Sequence, residues 1–217
     1  APPVIASSNA AGIMIRDYEL ATTRRMGAAM VTAPEDQSEI DAWADELLER
    51  TQAKAIISIE RLGPNESGIV HYSTGVAPKN CVNVAPLFDK ATERGILSIG
   101  IGDNGNEIGF GRIHAFMQDF HPYGRETQTD KPGGAITVTA TDIFMPASIS
   151  NWGAYGIAAM LGFLLKDKEL LQDPELVESV LRRWMREATV APTTAFPRGD
   201  VPMNVEIGSG QRCRGHG

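Results

Sequence analysis

The sequence predicts an α/β protein, a three-layer α/β/α arrangement around a mostly parallel, Rossmann-like sheet. Two observations predict it. Short apolar runs of strand length alternate with longer stretches of helical periodicity, a pattern that implies crossover connections and a parallel sheet. Three polar loops, after Ile59, Ile99 and Ala140, each follow such an apolar run. That places all three on the carboxyl edge of the sheet, where open α/β sheets bind ligands. The chain has 217 residues, 42% apolar and 22% charged, enough for one domain with a real core. It reads as a single α/β domain that either lacks an N-terminal portion or is supplied with one by another chain.

In chain order, Ala1–Gly12 reads as an extended arm or first edge strand and Ile13–Arg25 as a short helix. Gly27–Ala33 is a buried strand. Pro34 then opens a helix through about Gln52, with Glu35 and Asp36 in its first turn, where the helix dipole favours acids. Ile40, Trp43, Leu47 and Leu48 recur at helical spacing and give that helix a core face. Lys54–Ile59 is the second strand, Val84–Arg94 a helix and Ile96–Ile99 the third strand. A helix over Gly111–Phe120 is broken by His121-Pro122-Tyr123-Gly124. Ala135–Ala140, with its β-branched alternation, reads as the fourth strand. Asn151–Leu165 is an apolar helix capped by Ser150, and Pro174–Ala188 is amphipathic behind a capping Asp173. Little regular structure is expected from Thr189 onward.

Several classes are excluded. A net charge of −7 without a basic cluster argues against nucleic acid. No apolar run approaches the roughly 20 residues that span a bilayer. Cys81 and Cys213 stand apart and read as free thiols, which points to the cytoplasm. His71, His114, His121 and His216 form no zinc motif. There is neither a Walker loop nor a Gly-x-Ser-x-Gly elbow. The start at Ala1-Pro2-Pro3 shows neither an initiator methionine nor a signal-peptide pattern. It reads as a processed product, a trimmed chain or one subunit of a two-chain enzyme.

The stretch Gly100–Gly111 concentrates the chemistry. Five of its twelve residues are glycine, and Asp103, Asn104, Asn106 and Glu107 are its polar members. Asp103 and Glu107 could divide acid and base work if burial separates their pKa values, or hold a divalent cation through oxygen. Asn106 could donate to a developing oxyanion. Gly100, Gly102 and Gly105 match a dinucleotide spacing, but no acidic residue follows about 20 positions later, and the loop's own carboxylates would repel a pyrophosphate. In the first loop, Arg61 offers a fork of donors for a carboxylate, and Glu60 could act as a base or pair with Arg61. In the third, Ser150, Asn151 and Trp152 stand at a helix start that favours an anion.

Ile59-Glu60-Arg61 with Tyr72 downstream, Gly102-Asp103-Asn104-Gly105-Asn106-Glu107-Ile108-Gly109-Phe110-Gly111, and Ser150-Asn151-Trp152-Gly153-Ala154-Tyr155 together resemble the C-terminal domain of the D-glutamate cyclase family. Order and approximate spacing agree over roughly Ala53–Leu165, and Asn104 stands where the family tends to have glycine. The resemblance implies a lyase that interconverts D-glutamate with 5-oxo-D-proline and water. It implies Glu107 and Asp103 as acid and base, and Asn106 with Asn151 for the oxyanion. Glu60, Arg61, Gly102, Asn104, Gly105, Ser150, Asn151 and Trp152 would contact the substrate. An amide or lactam hydrolase and an anion-binding subunit are the alternative readings. The expected ligand is a small carboxylic acid. No cofactor is required, a divalent metal is compatible with the carboxylates, and a homo-oligomer or partner subunit is left open.

Overall fold

A computed structural model describes residues 4–7, 29–79 and 81–179. The chain divides into two compact units, Ala1–Ser150 and Asn151–Gly217. The first holds two parallel sheets. Strands β1 (Val4–Ser7) and β2 (Ala29–Thr32) form one pair. Strands β3 (Ala55–Ile59), β4 (Leu97–Gly102) and β5 (Ile143–Pro146) form the other, in the order β3-β4-β5. Both pairings of the larger sheet are parallel, with Ile57 opposite Ile99 and Ile99 opposite Ile143. Parallel strands need long connections, and helices supply two of these. The α/β class therefore stands.

Helix α1 (Ile40–Thr51) starts later than Pro34 suggests. Asp36 is not in a helical turn: its carboxylate caps a 3-10 turn, Gln37–Glu39, by accepting from the Ser38 amide, and α1 continues from there. Aspartate competes for backbone donors in this way, which suits it to a cap better than to a helix interior. Helix α2 (Ala85–Glu93) carries Pro86 in its first turn, where a missing N–H costs nothing. The two helices share the main core: Ile40, Ala44, Leu47 and Leu48 of α1 with Leu87, Phe88 and Ala91 of α2. Trp43 is half-buried against it. Asp45 ties the pair at their rim, to Lys90 at 2.8 Å and Arg94 at 2.6 Å.

Residues 135–140 do not form the fourth strand. Ala135, Ile136 and Thr137 are buried as a strand's would be, but their backbone pairs with loops. Thr137 N–H donates to Gly105 O, Val138 N–H to Pro64 O, and Thr139 O accepts from Gly109 and Gly111. β-propensity reports a fit to a pleated, half-buried surface, and here that surface is the glycine loop. The chain turns at Asp142, whose carboxylate accepts from the backbone and hydroxyl of Ser98, and enters the sheet as β5. The loop before Ser150 therefore follows Pro146, not Ala140.

Past the glycine loop, a 3-10 turn, Gly111–Ile113, leads into helix α3 (His114–Phe120). Helix α4 (Ser150–Leu165) begins at Ser150 and runs into the second unit. There a 3-10 turn, Lys168–Leu170, follows it, and the Asp173 carboxylate accepts from Glu175 N–H where the next helix begins. The helix expected over Ile13–Arg25, the tail from Thr189, Cys213 and His216 lie outside the described residues.

Candidate active site

Strand β4 is built of Leu-Ser-Ile-Gly-Ile-Gly and delivers the chain at Asp103 to a loop that turns back on itself. Two apolar residues anchor that loop. Ile108 is fully buried in the α1/α2 core, and Phe110 packs with Met117 and Ile136 in a second, smaller one. The polar residues between the anchors are thereby drawn inside: Asn106 and Glu107 are buried, Asp103 is half-buried and Asn104 is exposed at the tip.

The first loop is fastened to the glycine loop through its backbone. Glu60 N–H donates to Ile101 O, Gly63 N–H to Asn106 O, and Ile108 N–H to Arg61 O. Glu60 adopts φ 56°, the left-handed region that a residue with a side chain occupies only when its surroundings compel it. The result is a group of three carboxylates. Glu60, exposed as a residue, brings an oxygen within 4.8 Å of oxygens of Asp103 and Glu107. Glu60 and Arg61 are neighbours in an extended segment and point apart. Arg61 donates to Val82 O instead.

Glu107 is 1% exposed. Asn104 N–H donates to its two oxygens at 3.3 and 3.2 Å, and Gly105 N–H to one of them at 2.9 Å. Those donors favour the carboxylate, yet burial outweighs them. With the charges of Glu60 and Asp103 added, burial pushes the Glu107 pKa up to about 7. The Glu60 carboxyl also lies above its ordinary range, first through burial and then through the Asp103 charge. Asp103 is raised by burial, partly offset by the Ser150 amide, which donates to Oδ2 at 3.3 Å.

Gly102 is required by this packing. A Cβ there would stand 2.7 Å from Glu107 Cβ and 2.8 Å from Phe110 Cε2. Asn106 has a different position from the one its sequence context suggests. Its Nδ2 donates to His71 O at 2.9 Å, and the buried atom left over is the acceptor Oδ1. It clamps the 69–71 segment to the loop. His71 itself is fully buried, and nothing near it in the sequence marks it as an anchor, because the contact is made by its carbonyl. Ser150 is buried beside Asp103. Asn151 and Trp152 follow it in α4, in the second unit, and both are exposed.

Among the described residues, Glu60, Asp103 and Glu107 offer an all-oxygen donor set of the kind that hard divalent cations take. Chemically, three carboxylates at graded depth, one poised near neutrality, suit proton transfer at a cationic or carboxyl-bearing ligand.

A model of the family described as D-glutamate cyclase-like, C-terminal, matches residues 3–197. The mitochondrial D-glutamate cyclase of Homo sapiens is 30% identical over 111 residues. That stretch is 50% of this chain and 17% of the human protein, so the likeness covers a small part of the relative's length.

Proposed function

Because the chain belongs to the D-glutamate cyclase-like, C-terminal, family, we propose that it is a lyase interconverting D-glutamate with 5-oxo-D-proline and water. The observation that carries this reading is the carboxylate group, with oxygens within 4.8 Å of one another and Glu107 at a pKa of about 7. In the forward direction the α-nitrogen bonds to the γ-carboxyl carbon and one carbon–oxygen bond breaks. Two of the three ammonium protons leave with that oxygen as water.

The reaction therefore needs a group that takes a proton from nitrogen and returns one to oxygen near neutral pH. Glu107 has the pKa for both directions. Protonated, it can approach the γ-carboxylate without repulsion. Ionised, it can accept from the ammonium. Glu60 and Asp103 hold negative charge towards that ammonium and orient it. A divalent cation held by Glu60, Asp103 and Glu107 would add Lewis-acid polarisation of the γ-carboxyl.

The test is incubation of the protein with D-glutamate, and separately with 5-oxo-D-proline, with and without Mg²⁺ or Mn²⁺, followed by chiral chromatography. Both directions are expected to reach one common ratio, with Glu107→Gln slower by about 10² or more. Absence of interconversion by the unaltered protein under every metal condition overturns the proposal.

A further inference from the structure

We propose that Asn104 is a positioning residue that aims the Asp103 carboxylate at the substrate ammonium, an inference that rests on the lyase reading above and refines it. The Asn104 side-chain amide donates to Asp103 Oδ1, and the Ser150 amide donates to Oδ2 at 3.3 Å. Each oxygen of Asp103 thus has its own donor, one from the loop tip and one from the start of α4. Rotation of the carboxylate loses one of them. Asp103 is half-buried, so without these donors water would compete for its orientation.

The same Asn104 reaches the second carboxylate through its backbone, donating N–H to both Glu107 oxygens. One residue therefore sets the separation and facing of the two groups. The arrangement divides their work. Donors on both oxygens favour a charged Asp103, which anchors the ammonium. Glu107 lies deeper and moves the proton. The side chain at 104 serves only Asp103, while the backbone contact to Glu107 survives any substitution except proline. A side-chain change at 104 therefore tests the anchor separately from the proton carrier.

The experiment is steady-state kinetics of Asn104→Gly and Asn104→Asp. Asn104→Gly removes the donor. Asn104→Asp keeps the size but places a negative charge against Asp103. The expected result is a KM for D-glutamate raised about 5- to 10-fold in the first variant and further in the second. In both, kcat is expected within about threefold, since uniform binding is lost and transition-state stabilisation kept. Melting temperatures should fall by no more than about 4 °C. An unchanged KM in both variants overturns the proposal, as does a joint loss of kcat, KM and melting temperature.

If the unaltered protein turns over neither substrate, the lyase reading fails, and amide NMR decides the contact alone. A downfield, slowly exchanging Asn104 side-chain signal that shifts upfield in Asp103→Asn supports the clamp. A signal at the free-amide position in both proteins overturns it.

Discussion

Glu107 is held as a carboxyl group in a place where ionisation is costly, and that cost has a thermodynamic signature. An ordinary glutamate ionises near 4.5, and this one near 7. Between those two values the folded protein keeps a proton that the unfolded chain has released. Stability therefore falls as pH rises from about 4.5 to about 7 and is level above. The span corresponds to about 3 kcal/mol, an upper figure because Glu60 and Asp103 titrate with it. Melting curves from pH 5 to pH 8 should show a decline in the unaltered protein that is reduced in Glu107→Gln. Equal declines in the two proteins would mean that the proton resides elsewhere. Burial is the largest cause of the shift and the Glu60 charge comes next. Glu60→Gln is accordingly expected to move the Glu107 midpoint in the pH–rate profile to lower pH. A midpoint that stays or rises would contradict the placement of Glu60 beside Glu107.

Glycine matters here chiefly through close approach. Strand β4 ends at Gly102 so that the Glu107 side chain can fold back over the backbone, and a methyl at 102 would overlap Glu107 Cβ and Phe110 at once. Gly102→Ala should cost about 1–3 kcal/mol in stability. It should also cost at least about 10²-fold in turnover, because about 1 Å of displacement at a reacting group has that effect. Measured turnover within threefold of the unaltered protein would show that Glu107 is not the group that matters. Gly109 is required for a second reason, its φ of +115° beside the Gly100 backbone. The 135–140 segment belongs to the same loop system. It backs the glycine loop along three of its carbonyls and amides, which is why a run with a strand's composition lies outside the sheet.

The first unit is held by a core remote from the carboxylates, and this separates stability from chemistry. Phe88 is 5% exposed and packed between α1 and α2. Phe88→Ala should cost about 3–5 kcal/mol, lowering the melting temperature strongly. KM should be unchanged at temperatures where the variant is folded. A changed KM there would show that the core transmits to the site through Ile108, which belongs to the same apolar cluster. No helix among the described residues is long and apolar enough to cross a membrane.

Local signals made much of this readable from the amino-acid order. Apolar runs of strand length, capping residues, Pro86 at a helix start and a glycine-rich turn after β4 each act within a few residues, so α1, α2, β3, β4 and the glycine loop were all legible. The parallel sheet followed from their alternation. The meeting of the first loop with the glycine loop was an inference from topology. Which side chains meet there was not legible. That Glu60 joins Asp103 and Glu107 while Arg61 turns to Val82, that Asn106 is tied to His71, and that residues 135–140 bond to a loop all depend on contacts between residues 20 or more positions apart. The proton affinity of Glu107 belongs with these. Composition supplies a carboxyl group, but only enclosure by Ile108, Phe110 and two neighbouring carboxylates removes the water that would keep it acidic.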